Sequence, residues 1–489
     1  MRDDGLRRNL TAANPWWQAA AKRRDPADTI RDQRLLRDRA EYDLEYRSLI
    51  FADIERLPVG GVLVVLTGPR RVGKTVALLD LASAFCQRED MSAFQVIYMP
   101  CDGMRDRDLR RSLTLGRELT RPADVGSSRP RVWLLDEVSN VSGWSSIIKL
   151  ARDGTAFGDD TVIVTGSRWR DGENVEANLM AGRAGSTGGR RNRHLLPMTF
   201  RDFLVATRPS LALPASVHPS DLQAPHVRAA LENLQFQVDD YDLAWQDFLT
   251  CGGFPRAVAE HHKYGAASED FLRDIAASLR GDLQMDGPPQ SLPILLSELE
   301  TRSSSPLNIA NLALSLSWTR ATTEGRLNRL VSSFGAVWCR QYSESGRNVQ
   351  GSQSKLYLVD PVLSLLPSRL RAGLPTPDMT RLTEAMLGAT LARSIDLLDQ
   401  GRWVAADTIG YVRTDSGNEI DLGPVDLPAP GGTRRSIPIE AKWVDDGWRA
   451  EARVLTNKYG SGVLATKSIL NLDYGVWAIP APLVALLLI

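Results

Sequence analysis

Residues 68–75 read Gly68-Pro69-Arg70-Arg71-Val72-Gly73-Lys74-Thr75, which satisfies the phosphate-loop pattern G-x-x-x-x-G-K-[ST]. The run before it, Gly61-Val-Leu-Val-Val-Leu-Thr67, is short, apolar and rich in β-branched residues, as a buried parallel strand requires. The run after it, Val76-Ala-Leu-Leu-Asp-Leu-Ala-Ser-Ala-Phe85, spaces its apolar residues for a helix. Strand, glycine loop and helix in that order separate a nucleotide loop from a chance match. Gly68 and Gly73 let backbone amides close around phosphate oxygens. Lys74 is expected to reach the β- and γ-phosphates and Thr75 to ligate Mg²⁺, with the helix N-terminus adding positive potential. The octapeptide, with Pro69, Arg70, Arg71 and Val72, is therefore expected to bind ATP and Mg²⁺.

A second element falls where the first requires one. Val132-Trp-Leu-Leu-Asp136-Glu137 is an apolar strand ending in two acids, the form of a Walker B element. Asp136 is expected to hold Mg²⁺ and Glu137 to polarise the attacking water. Thr161-Val-Ile-Val-Thr-Gly-Ser167 reads as another buried strand, whose terminal Thr165 and Ser167 are placed to sense the γ-phosphate. Val96-Ile-Tyr-Met99 supplies one more strand, so β and α units alternate and a parallel sheet is expected.

The chain has 489 residues, 43% of them hydrophobic and 24% charged, which suits a soluble protein of about three domains. Its net charge is zero, so any nucleic-acid surface has to be local. The N-terminus opens with charges and lacks the apolar core of a secretory signal. The apolar segment Val476–Ile489 is too short to span a bilayer and is interrupted by two prolines; it reads as a core strand and a buried terminal segment, and no membrane is expected. Cys86, Cys101, Cys251 and Cys339 are scattered without a Cys-x-x-Cys pair, which fits a reducing cytoplasm. Lysine is rare, 8 residues against 51 Arg, so each lysine in a motif carries more information than usual.

The chain divides into five regions. Residues 1–55 alternate Arg with Asp and Glu and contain Trp16-Trp17 after Asn14-Pro15; they read as a helical lead-in whose tryptophans dock on the next region. Residues 56–205 hold the nucleotide-binding sheet. They end in a glycine- and arginine-rich stretch in which Arg183, within Met180-Ala-Gly-Arg183, is the candidate arginine finger. Residues 206–289 read as a helical lid with a polar insertion near 207–240 and a turn at Cys251-Gly-Gly-Phe-Pro255. Residues 290–377 read as a winged helix and linker. Its helices are Leu307–Leu316 and Ala321–Val331, and its β arms Ala336–Tyr342 and Lys355–Val359 flank a Gly/Ser-rich wing. Only Arg320, Arg326 and Arg329 offer cations on the second helix, so DNA contact and a packing role both stand.

From residue 378 a second chemical candidate appears, in the fifth region, 378–489. Leu382–Ile395 reads as an amphipathic helix bearing Glu384, followed by Glu419-Ile-Asp421 and then Ile437-Pro-Ile-Glu440-Ala-Lys442-Trp443. Alternation turns Glu440 and Lys442 to the face opposite Ile439 and Ala441. Carboxylates on adjacent strands, Asp421 and Glu440, can bind one Mg²⁺ while a nearby lysine orients water, as metal-dependent phosphodiester cleavage requires.

In this order the motifs resemble AAA+ and signal-transduction-type P-loop ATPases fused to a winged helix and a C-terminal PD-(D/E)XK nuclease-like domain. The matching stretches are Gly68–Thr75, Leu134-Leu-Asp-Glu137, Thr165-Gly-Ser167, Ala181-Gly-Arg183, Leu196–Leu204, Gly252-Gly-Phe-Pro255, Lys355–Pro361, Gly417–Asp421 and Pro438–Lys442. The resemblance runs from about residue 56 to the C-terminus. It implies an α/β fold made of a P-loop parallel sheet, a helical and winged-helix part and a restriction-endonuclease-like α/β domain. It also implies that Glu384, Asp421, Glu440 and Lys442 occupy nuclease-type positions. The insertion at 207–240 and the stretch 184–193 depart from the pattern. Two functions are compatible with this reading. One is an ATPase whose cycle controls a Mg²⁺-dependent DNA-processing nuclease domain, in defence or mobile-element control. The other is a nucleotide-gated switch binding DNA or protein through a silent nuclease fold. DNA, a second copy of the chain and a partner protein are the candidate partners.

Overall fold

A computed structural model describes residues 2–124, 128–154, 156–167, 192–344, 346–398, 408–414 and 417–489. Their contacts divide the chain into two units, Met1–Leu196 and Pro197–Ile489.

The first unit is built on five parallel strands: β1 (Leu63–Thr67), β2 (Val96–Pro100), β3 (Val132–Asp136), β4 (Thr161–Gly166) and β5 (Asn192–His194). Their order is β2-β3-β4-β1-β5, so β4 lies between the strand of the phosphate loop and the strand of the two acids. Strands β1, β3 and β4 are buried along their whole length, which is why they read as continuous apolar runs rather than alternating ones. The helix Lys74–Cys86 follows β1 directly. Edge strand β2 is not left bare. Asn14 Nδ2 donates to Tyr98 O and Tyr98 N donates to Asn14 Oδ1, both at 2.7 Å, as a neighbouring strand would. The indole nitrogens of Trp16 and Trp17 both donate to Val96 O, at 3.0 and 2.9 Å. The N-terminal tryptophans thus bury themselves on the sheet edge and block further pairing there.

The second unit begins with helices, including Phe200–Thr207, Val238–Cys251, Pro255–Tyr264 and Glu269–Asp282. Then come the helices Ile309–Ser315 and Arg320–Ser332 and the antiparallel hairpin β6 (Ala336–Tyr342) and β7 (Lys355–Leu358). The hairpin is continuous with the C-terminal strands. β6 pairs in parallel with β8 (Ile409–Arg413), which pairs antiparallel with β9 (Glu419–Ile420), giving a sheet β7-β6-β8-β9. A separate hairpin, β10 (Asp426–Ala429) with β11 (Gly432–Arg435), precedes a parallel sheet of β12 (Ile439–Ala441), β13 (Gly462–Thr466) and β14 (Val476–Pro480). A two-bond bridge between Leu422 and Ile439 joins the two larger sheets. The terminal helix Ala481–Leu488 is buried throughout.

Three motifs quoted for the resemblance meet here in a structural role. The buried Asp360 carboxylate accepts from Val362 N and Gly253 N, at 2.9 and 2.8 Å, while Met198 N donates to Gly253 O. Burial raises the Asp360 carboxyl to about 6 although both amides pull it down. Asp360 caps the helix Pro361–Leu370 and ties it to the glycine turn.

Candidate functional site

At the first site, local chain geometry brings the phosphate loop and both acids together. Gly73 takes φ +95° as the residue before the helix Lys74–Cys86, a conformation glycine adopts without cost. A Cβ on Gly68 would lie 1.9 Å from Leu195 O, so the loop leaves β1 in close contact with the chain beyond β5. Val72 is buried, Arg70 half-buried and Arg71 exposed. The Lys74 ammonium is buried and donates to Gly68 O at 3.0 Å and Pro69 O at 2.9 Å, with Glu137 Oε1 at 3.6 Å. Burial draws its pKa below the ordinary lysine value against the pull of Glu137 and Asp136.

Asp136 is the hub. Its Oδ2 accepts from Thr75 Oγ1 at 2.8 Å and from Tyr98 Oη at 2.9 Å, and its Oδ1 accepts from Thr165 Oγ1 at 2.7 Å. Thr165 Oγ1 also accepts from Glu137 N at 2.9 Å. Glu137 itself sits at φ +53°, a left-handed conformation uncommon for a residue other than glycine and often found at functional sites. Among the described residues its buried Oε2 has no hydrogen-bond partner, and neither have Ser167 Oγ and Thr67 Oγ1. Orphaned acceptors and hydroxyls around a lysine and a Thr–Asp pair fit a phosphate–Mg²⁺ ligand, because buried polar atoms are otherwise satisfied. Sequence reading missed Tyr98. Its hydroxyl lies on a neighbouring strand, and a tyrosine inside an apolar run gives no local sign of its partner. Arg183 lies outside the described residues.

The second site forms in the C-terminal unit, where Glu384, Asp421, Glu440 and Lys442 come together. Register explains the central pair: Leu422 opposite Ile439 in antiparallel pairing sets Asp421 opposite Glu440. Asp421 N donates to Glu440 Oε2 and Ala441 N to Asp421 Oδ2, each at 3.1 Å. Lys442 Nζ lies 2.9 Å from Glu440 Oε1. Glu384 comes from the helix Met379–Leu398, which can approach β7 closely because a Cβ on Gly388, one turn on, would stand 2.7 Å from the Tyr357 ring.

Lys355, Tyr357 and Glu419 were not read in the sequence as members of this site. Lys355 Nζ, fully buried, lies 2.9 Å from Glu384 Oε1, 2.7 Å from Glu419 Oε1 and 2.9 Å from Asp421 Oδ1. Tyr357, two residues on and on the same face of β7, donates to Glu384 Oε1 at 2.7 Å. The signal available was the lysine itself, one of 8, at the head of an apolar strand. Burial and Asp421 raise the Glu384 carboxyl above its usual range and push Glu440 up to about 8. Burial works to lower the Lys355 pKa, but Asp421, Glu384 and Glu419 outweigh it and the net shift is upward. A cavity of about 520 Å³ opens onto Glu384, Asp421, Glu440 and Lys442. As they stand these carboxylates do not fit a divalent ion. Glu384, Glu419 and Asp421 converge on the Lys355 ammonium while Glu440 pairs with Lys442, and among the described residues no group of three His, Cys, Asp or Glu is disposed to hold a metal.

The raised Glu440 pKa gives a signed prediction. A carboxyl whose folded pKa exceeds its unfolded value contributes stability below about pH 4.5 that is lost as pH rises through about 8. Glu440→Gln should flatten that decline, as read by urea midpoints across the window. An unchanged slope would assign the pH dependence elsewhere.

At the second helix of the hairpin region, the Arg326 guanidinium lies 4.0 Å from the Trp318 ring centroid and Arg320 pairs with Glu324 at 2.8 Å. Two of the three expected DNA-facing cations therefore have partners within the protein. No helix among the described residues is long and apolar enough to cross a membrane.

Comparison with known proteins agrees with this geometry in the first unit. Residues 61–204 match the family model described as an AAA domain, and residues 243–371 match one described as a Domain of unknown function (DUF8612). No curated protein matches the chain. Among solved structures, a Walker-type ATPase of Pyrococcus abyssi is similar at 13% identity and TM-score 0.40, covering 67% of this chain and 99% of its own. The Aeropyrum pernix ORC2 protein in its ADP form is similar at 13% identity and TM-score 0.29, covering 61% and 90%. The Aeropyrum pernix ORC1 protein in complex with DNA is similar at 13% identity and TM-score 0.27, covering 71% and 91%. Nothing in these matches identifies the hairpin region as a winged helix or the C-terminal sheets as a nuclease. The N-terminal region of this chain carries an AAA-type P-loop ATPase domain.

Proposed function

We propose that the chain is a Mg²⁺-dependent ATPase whose nucleotide cycle governs a C-terminal unit that handles DNA. The observation that carries this is the convergence of Thr75, Thr165 and Tyr98 on Asp136, beside Lys74 and Glu137. Thr75 and Asp136 are the residues to hold Mg²⁺, which when bound draws charge from the transferring phosphate. Lys74 exchanges its loop carbonyls for phosphate oxygens. Glu137, its amide fixed by Thr165, orients the attacking water and takes its proton, while Ser167 meets the γ-phosphate. The candidate finger remains Arg183. Lys74→Ala should weaken ATP binding severely, since each charge-assisted hydrogen bond contributes about 1.5–3 kcal/mol. Calorimetry showing unchanged affinity in a folded variant would sink the assignment. The free thiols of Cys86, Cys101, Cys251 and Cys339 support a cytoplasmic location.

For the C-terminal unit two readings compete. In the first, Glu384, Asp421, Glu440 and Lys442 serve Mg²⁺-dependent DNA cleavage under nucleotide control, in defence or mobile-element control. In the second, the nuclease-like fold docks DNA or a partner protein, or a second copy of the chain, without cutting. The seat of Lys355 among the carboxylates favours the second. Linear, nicked and single-stranded DNA incubated with Mg²⁺ or Mn²⁺, with and without ATP, distinguishes them. Cleavage lost in both Asp421→Ala and Lys442→Ala restores the first reading; no cleavage on any substrate leaves the second.

A further inference from the structure

The cluster of Glu384, Glu419, Asp421 and Glu440 has the composition of a divalent-cation site and a geometry that contradicts one. An ammonium group has three N–H donors and no acceptor. Lys355 donates to Glu384 Oε1 and Asp421 Oδ1, each at 2.9 Å, and its Nζ lies 2.7 Å from Glu419 Oε1, so three carboxylates surround it. The Tyr411 ring faces the same ammonium, 5.6 Å from its centroid, which adds cation–π attraction. The lysine side chain is wholly buried. The carboxylates, in contrast, line a cavity of about 520 Å³ together with Lys442. Mg²⁺ demands near-octahedral oxygen ligands at about 2.0–2.1 Å. An ammonium amid the same oxygens repels that ion and occupies the lone pairs it needs.

We infer that Lys355 is the resident cation of this site, taking the place of a divalent ion and deciding whether the carboxylates bind metal at all. The lysine comes from the β6–β7 hairpin rather than from the segments that carry Asp421 and Glu440, so an element outside the Asp…Glu-x-Lys pattern sets its cation preference. The inference rests on reading these carboxylates as a cation site of nuclease type, and the test separates the two.

The full-length chain, without nucleotide and with Asp136→Asn to silence the first site, is titrated with Mn²⁺ and free ion is followed by electron paramagnetic resonance. Lys355→Ala should bind one Mn²⁺ at least about tenfold more tightly than the Lys355 protein. The gain should disappear when Asp421→Asn is added, and Mn²⁺ should raise the melting temperature of Lys355→Ala alone. Should Lys355→Ala fail to fold, the variant Lys355→Gln with Glu419→Gln carries less uncompensated charge and still leaves Glu384, Asp421 and Glu440 as ligands; the same tenfold gain is required of it. Equal binding with and without Lys355 overturns the inference while the carboxylate site stands. No Mn²⁺ binding in any variant overturns both.

Discussion

Glu137→Gln should bind ATP with wild-type affinity and lose turnover by about 10²–10⁴-fold, the usual contribution of a positioned general base. The carboxamide keeps the shape of the side chain but cannot take a proton from water. The structure adds a reason to expect a clean separation of binding from turnover. Glu137 is held from its backbone by Thr165 Oγ1 at 2.9 Å, with a left-handed φ of +53°; its Oε1 lies 3.6 Å from Lys74 Nζ, while its Oε2 has no hydrogen-bond partner among the described residues. The amide therefore enters the same position without breaking a structural hydrogen bond at that oxygen. Phosphate-release kinetics beside equilibrium nucleotide binding check this. Wild-type turnover would place the base elsewhere. Loss of both binding and turnover would mean that the 3.6 Å contact with Lys74 shapes the phosphate loop.

The two sites were not equally legible in the sequence, and the difference is physical. The phosphate loop is contiguous: one octapeptide, its strand and its helix carry the whole signal, and β1 and the helix Lys74–Cys86 appear where that signal puts them. Asp136 and Glu137 were readable because a buried parallel strand ends abruptly in charge. Tyr98 was not, because its bond to Asp136 crosses between strands 38 positions apart in sequence. In the C-terminal unit, alternation along Ile437–Trp443 and the acid at Asp421 identified residues that register does bring face to face. The third partner came from the hairpin β6–β7, which taken alone looks self-contained, with helices before it and a glycine-rich turn inside it. Its parallel pairing with β8, from Cys339↔Ile409 to Tyr342↔Val412, is non-local. No periodicity or turn residue encodes it, and with that pairing unseen Lys355 reads as the head of a wing strand.

Removing that lysine should have the largest effect on stability of any single change in the C-terminal unit. Lys355→Met keeps an unbranched side chain of similar length and removes the charge, leaving Glu384, Glu419 and Asp421 without the ammonium they share. Breaking a buried ion pair by removing one partner costs about 3–5 kcal/mol, because the other charge stays buried and uncompensated. A fault in packing alone would cost the same at every pH; a fault in charge would not. Burial and mutual repulsion already raise the Glu384 and Glu440 carboxyls above their usual range, and losing Lys355 raises Glu384 further. Its proton is then taken up on folding, so the deficit of the variant is smallest at acid pH and grows as pH rises through the folded pKa. Urea denaturation of wild type and Lys355→Met at acid, neutral and mildly alkaline pH measures this directly. Adding Glu384→Gln to Lys355→Met should return part of the loss at neutral pH, since an amide in place of one carboxylate removes like-charge repulsion; substitutions in contact are expected to couple rather than add. A deficit that is constant with pH, or a double variant no more stable than Lys355→Met, would show that the lysine fills space in the core rather than balancing the carboxylates around it.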